Sequence, residues 1–278
     1  MRLLIGALAL MLLAAAPAAA QRASLRAVAE VNLRPPPNLR SRSVGYAWDG
    51  DLVRGLKLKE SRYVRYIGEC AGDERFYGTW QLVQLLERAA RGVAARFPGA
   101  RLAIGELSSK HGGDVDGHRS HESGRDADIG FYTLRDGKPS GVAAFTRIDG
   151  SGRSVPAGLR FDDARNWELV RRLIDDRDAK VQYIFVAKHI RARLLREAAR
   201  RKVSPELIAR AEAILVAPGR GNPHSTHFHV RIYCAVSDRP QCRDVAPFWA
   251  WYPGNPPREV SSTHAVAVET RSQRAAND

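Results

Sequence analysis

Five of the chain's eight histidines fall in two short clusters, and each cluster lies in or beside a segment that alternates polar with apolar residues. The second cluster is His224-Ser225-Thr226-His227-Phe228-His229, continuing into Val230-Arg231-Ile232-Tyr233. On a strand, successive side chains point to opposite faces, so Phe228, Val230 and Ile232 are assigned to a core. His227, His229, Arg231 and Tyr233 then share the other face, with the two imidazoles about 7 Å apart at a rise of about 3.3 Å per residue. The first cluster is Gly117-His118-Arg119-Ser120-His121, followed by Gly124 and by Asp126-Ala127-Asp128-Ile129-Gly130-Phe131. Gly124 suits a bend, Ala127, Ile129 and Phe131 face one way, and Asp126 and Asp128 face the other. His121 precedes Asp128 by seven positions, so a turn can fold it back beside that carboxylate. Histidines and a carboxylate gathered this way are the donor set of a hydrolytic zinc site. His111, His189 and His264 stand alone and are read as ordinary loop, helix-start and tail residues.

The N-terminus carries a positive Arg2, a short apolar run from Leu3 to Leu13 and a small-residue site at Ala18-Ala19-Ala20. This is the pattern of a signal peptide over residues 1–20, with cleavage after Ala20. The run is too short for a permanent membrane anchor, so the mature chain is expected in the periplasm with no stable anchor. Export makes the three cysteines informative. Cys234 ends the His-x-His strand and Cys242 follows a turn-rich segment, so a bridge between them would close a short loop in an oxidising compartment. Cys70 is left over, and the sequence leaves open whether it competes for either partner. The formal charge of +14 favours acidic partners. Nucleic acid is set aside because the chain carries a leader, and an acidic extracytoplasmic polymer fits better. Arginine-rich stretches near 191–202 can equally be a solvated helix face.

Residues 21–39 contain Arg34-Pro35-Pro36-Pro37 and read as an extended entry segment. One domain is expected over 40–257, then a polar tail over 258–278. Within the domain, apolar spacing predicts a helix over Trp80 to Phe97, stopped by Pro98-Gly99. A second helix is expected from Asp163 to about Asp178, and others near 189–201 and 204–215, the last opened by Ser204-Pro205. Strands are expected at Arg101–Gly105 and Val181–Val186, with a long loop or hairpin over 133–162. No regular strand–helix alternation covers the chain, so the reading is an α+β fold: an antiparallel sheet carrying the zinc site, flanked by helices. Parallel α/β winding is the alternative.

His121-x6-Asp128 with His227-x-His229 resembles the signature of the lysostaphin, D-Ala-D-Ala metallopeptidase and hedgehog group. More closely, Gly117–His121, Gly124-x-Asp126-x-Asp128 and His224-x-x-His227-Phe228-His229-Val230 resemble the penicillin-insensitive murein endopeptidases. Tyr77-Gly78-Thr79 and Ser43-Val44-Gly45-Tyr46 add weaker support, and the similarity spans about residues 40 to 253. The resemblance implies that His121, Asp128 and His229 are zinc ligands, that His118 is a further donor beside the metal, and that His227 and His224 assist catalysis. A second metal held by an Asp and a His between the clusters is not carried over, because residues 122–188 contain no histidine. The implied substrate is the D-alanyl–meso-diaminopimelate cross-link peptide of peptidoglycan, whose free carboxylates suit a basic cleft. Other functions weighed are a D,D-carboxypeptidase or dipeptidase on the same scaffold, a non-catalytic cell-wall binding module, and a secreted nuclease. An intact set of assisting histidines argues against the binding module. The lack of an acidic cluster for two-metal phosphate chemistry argues against the nuclease.

Overall fold

The computed structural model describes residues 40–252 apart from 73, 142–143, 155–157 and 219–222. The segment 1–20 read as a signal peptide, the expected entry segment 21–39, the expected tail 258–278 with His264, and most of the Gly219–Pro223 loop lie outside the described residues.

The chain enters through a hairpin of β1 (Arg42–Tyr46) and β2 (Asp49–Val53), followed by the short strands β3 (Leu56–Lys57), β4 (Val64–Tyr66) and β5 (Tyr77–Gly78). Helix α1 (Trp80–Arg96) comes next, then β6 (Leu102–Ile104), β7 (Asp126–Gly130), β8 (Thr133–Arg135), β9 (Lys138–Ser140) and β10 (Arg160–Phe161). The remainder runs α2 (Asp163–Ile174), β11 (Val181–Phe185), α3 (Lys188–Arg200), α4 (Pro205–Ile214), β12 (Leu215–Val216) and β13 (His227–Ile232).

Six strands form the main sheet in the order β12-β11-β13-β7-β6-β4. The four central strands pair antiparallel, whereas β12 and β4 join the edges in parallel. The fold is therefore α+β, antiparallel where the histidines and aspartates sit. The register sets His229 opposite Asp128 and Arg231 opposite Asp126. Alternation does what the sequence implies. Phe228, Val230, Ile232, Ala127 and Ile129 are at most 1% exposed and join a single core cluster with the helices. The helices supply the other half of that core. In α1, Leu82, Val83, Leu85, Leu86, Ala89, Ala90 and Val93 form the buried stripe, and Thr79 caps the start by accepting from the Leu82 amide. Truncating one such leucine to alanine costs about 2–5 kcal/mol.

Local chemistry corrects one boundary. Helix α2 ends at Ile174 rather than near Asp178. The Asp176 carboxylate receives the amides of Asp178 and Ala179 and a two-pronged contact from Arg88, which holds the following residues in a turn. Within 133–162, read as a long loop or hairpin, β8 and β9 form a hairpin and β10 pairs on its other side, in the order β10-β8-β9. The basic face near 191–202 is partly neutralised: Arg200 and Arg201 both reach Glu197, and Arg193 reaches Asp163. Among the described residues no helix is long and apolar enough to cross a membrane.

Candidate metal centre

Two arms bring the polar residues together. Strands β7 and β13 carry Asp126, Asp128, His227, His229 and Arg231 on one face, and all five are less than 9% exposed. The segment before β7 carries His118 and His121 and is pinned to the N-terminal hairpin. Glu122 donates its amide to the Ala47 carbonyl, and its carboxylate accepts the Gly50 amide. The turn back toward Asp128 runs through Gly124, at φ +71°, where a Cβ would lie 2.6 Å from the Leu52 side chain. That is the bend expected at this glycine. His121 and His224 also take left-handed backbone, with φ 76° and 48°. Strain of this kind costs on the order of 1–3 kcal/mol and collects at functional sites.

Asp128 is the focus. His121 Nε2 and His227 Nε2 each lie 3.5 Å from Asp128 Oδ1, His229 Nδ1 lies 3.3 Å from the same oxygen, and His118 Nδ1 lies 3.7 Å from Oδ2. His118, His121 and Asp128 offer ligand atoms that all fall within 4.8 Å of one another. The outward nitrogens of three histidines are tied to groups that only accept. His121 donates from Nδ1 to the Leu107 carbonyl at 2.5 Å. His229 donates from Nε2 to Asp126 Oδ1 at 2.7 Å, and His118 from Nε2 to Glu106 Oε2 at 2.5 Å. Each therefore carries its proton on the outer nitrogen and turns the inner one toward Asp128. None of the contacts around Asp128 Oδ1 has hydrogen-bond geometry, and His121 Nε2 and Asp128 Oδ1 are buried with no partner. Buried polar atoms are almost always paired, and two orphans facing one point mark a place where a cation completes the structure. Imidazole nitrogens with one carboxylate are the donors that zinc takes. The residues fit a metal.

Electrostatics agree. Burial opposes ionisation of Asp128, yet the surrounding histidines, His227 and His121 foremost, hold its carboxyl well below the usual range. Burial likewise opposes ionisation of Asp126, and the Arg231 guanidinium and His229 override it. Burial pulls His229 down, but its bond to Asp126 and the nearby Asp128 carboxylate raise it. Burial pushes His227 below the ordinary histidine value, which favours the neutral imidazole. His227 Nδ1 pairs with Thr226 Oγ1 at 2.8 Å.

Aromatic rings enclose the cluster. Phe145 lies 4.6 Å from the His227 ring, and Phe185 lies 5.4 Å from His229 and 6.0 Å from His224. Phe145 settles over Gly105, where a Cβ would approach to 2.1 Å.

Residues 66–254 match the family described as penicillin-insensitive murein endopeptidase. This chain belongs to that family. A relative, the penicillin-insensitive murein endopeptidase of Haemophilus influenzae, is 31% identical over 214 residues, which is 70% of this chain and 68% of that protein. Membership supports activity as a peptidoglycan hydrolase. The match takes in both histidine clusters and Tyr77-Gly78-Thr79, and begins after Ser43–Tyr46.

All six residues singled out in the sequence, His118, His121, Asp128, His224, His227 and His229, converge here. His224 stands ring to ring with His227 at 5.2 Å and with His229 at 5.7 Å. The isolated histidines stay outside: the His111 carbonyl accepts the Leu52 amide, and His189 Nε2 lies 2.8 Å from the Ile148 carbonyl at the start of α3. Sequence reasoning missed the groups that orient the imidazoles. Asp126 was placed on the right face without a role, and Glu106 and the Leu107 carbonyl had none. The Cys234–Cys242 disulfide is present, and Cys70 is buried apart from it.

Proposed function

We propose that this protein is an exported zinc endopeptidase that hydrolyses the D-alanyl–meso-diaminopimelate cross-links of peptidoglycan. The observation that carries the reading is the convergence of acceptor-locked histidines on the orphaned Asp128 oxygen. His121 through Nε2, Asp128, and His229 through Nδ1 would hold the zinc, with His118 Nδ1 as a further donor. Bound there, zinc would supply Lewis acidity to the scissile carbonyl and to the attacking water.

The chain's own groups do the rest. With Nδ1–H donated to Thr226 Oγ1, neutral His227 offers a lone pair at Nε2 and takes the proton of the attacking water. The same atom then returns a proton to the leaving amine. His224 stands beside it, where charge grows on the carbonyl oxygen, and opposes that charge. Asp126 and Glu106 fix which nitrogen of His229 and His118 faces inward. Phe145 and Phe185 keep water from the ring faces and strengthen each of these interactions.

The test is to incubate purified protein with muropeptide dimers, with and without chelator, and to identify products by mass. Chelator-sensitive conversion of dimers to monomers is expected. Trimmed monomers with intact dimers would mean a D,D-carboxypeptidase, and unchanged substrates a binding module. Export is tested separately: protein recovered from the periplasm should begin at Gln21 or within a few residues. Intact chain retained in the cytoplasm would rule that out.

A further inference from the structure

The face that carries His227 and His229 continues into Arg231, which the mechanism above leaves unused. Arg231 lies opposite Asp126 in the β7–β13 register and bonds to Asp126 Oδ1 through Nε alone, at 2.7 Å. Among the described residues its two terminal nitrogens meet no acceptor. The side chain is only 6% exposed. Its guanidinium carbon stands 6.0 Å from the Trp48 ring centroid and 5.9 Å from that of Phe185. Phe185 in turn lies against His229. A structural arginine this deeply buried normally spends its whole fork on a carboxylate or on carbonyls. Here one nitrogen is spent, and two rings hold the remainder in place in a setting of low dielectric.

Position gives the open end a use. Arg231 is two residues beyond His229 on the same strand face, a spacing of about 7 Å. In the proposed cross-link substrate, the carbon attached to the scissile amide nitrogen carries a free carboxylate. A scissile carbonyl seated at the metal centre puts that carboxylate a few bonds away, within the span of the strand spacing. We propose that the terminal nitrogens of Arg231 receive this carboxylate, so that Arg231 selects substrates whose leaving amine bears a neighbouring acid. Trp48 and Phe185 serve as the walls that hold the fork in place. The proposal rests on the endopeptidase reading and specifies which end of the substrate this face grips.

The experiment compares two muropeptide dimers, one with the free acid on the carbon beside the scissile nitrogen and one with a primary amide there, on wild type, R231K and R231Q. Wild type should prefer the acid on the order of 10- to 100-fold in kcat/KM, the range expected for charge-assisted bonds. R231Q, which keeps a donor for Asp126, should lose that preference through a raised KM with kcat near wild type. R231K should recover only part of it, because an ammonium cannot make the two-point contact. Zinc content and melting temperature are read on each variant to show that the site is intact. Equal cleavage of acid and amide by wild type would overturn the proposal without recourse to any variant. So would an equal loss on both substrates in R231Q, which would mark Arg231 as a support for Asp126 only. Failure of wild type to cleave either dimer would overturn the endopeptidase reading, and this proposal with it.

Discussion

The β7–β13 pair holds two buried polar clusters, one centred on Asp128 and the other on Arg125 at the end where β7 begins and β13 finishes. Both lie on strands that are otherwise core, and both contain charged groups that burial penalises. They differ in how their hydrogen bonds are completed. Arg125 donates to the hydroxyls of Ser43 and Ser123, to the Ile232 and Arg243 carbonyls and to Asp244 at 2.9 Å. Asp244 also accepts from the Cys234 amide and from Arg239. That cluster closes on itself, tying the first strand, the disulfide loop and the sheet together. Around Asp128 the outer nitrogens of His118, His121 and His229 are satisfied, whereas His121 Nε2 and Asp128 Oδ1 are not. A buried polar group is there to hold the fold when its bonds are complete, and awaits a ligand when they are left open toward one point.

Substitutions that treat the two clusters alike should have opposite consequences. The largest effect is expected for Asp128→Ala. Zinc should fall from about one per chain, the stoichiometry of a single tetrahedral site, to near zero, and cleavage of dimers to the level of chelator-treated enzyme. The melting temperature of the metal-free protein should hardly move. Full zinc retention would break the assignment of Asp128, and metal analysis with calorimetry reads both.

Next comes His227→Ala, for which a loss of about 10²–10⁴-fold in kcat is expected with zinc and fold retained. Steady-state kinetics beside metal analysis separates this from ligand loss, and normal cleavage would defeat the mechanism. His224→Ala should show the same pattern more weakly, and normal cleavage there would demote only that residue.

Asp244→Ala is the mirror experiment. It leaves the Arg125 charge buried without its partner, which should cost about 3–5 kcal/mol in denaturant unfolding, while the folded fraction keeps its zinc. Loss of metal without loss of stability would erase the distinction between the clusters.

The smallest effect belongs to Glu106→Gln, which weakens the hold on His118 Nε2 and should reduce zinc affinity by about 10–100-fold. Competition with a chromogenic chelator measures it. Unchanged affinity would mean that His118 stands beside the metal rather than on it.

How far the sequence reaches depends on the range of the interaction. Alternation along His227–Ile232 and Asp126–Gly130 assigned each side chain to its face, because side-chain direction on a strand is set by the backbone itself. The helical spacing in Trp80–Arg96 and the serine-proline opening of α4 were readable for the same local reason. The end of α2 was not, since it depends on Arg88 reaching Asp176 from another helix. The β1–β2 hairpin escaped notice as well. Its backbone is stitched to Gln241 and Arg243, nearly two hundred positions away, whose carbonyl and amide meet Gly45.

The sequence by itself determined the inventory of the site: the histidines and the carboxylate, the faces they occupy, the bend at Gly124 and the cysteines that close the neighbouring loop. Tertiary structure alone decided which nitrogen of each imidazole points inward. That choice is made by Leu107, Asp126 and Glu106, groups distant in sequence from at least one histidine they orient and brought beside it only by strand register and by packing of the preceding loop. It also decided that Arg231 lies between Trp48 from the first hairpin and Phe185 from β11. Local pattern records where a side chain points; what it meets there depends on segments that no spacing along the chain can bring together.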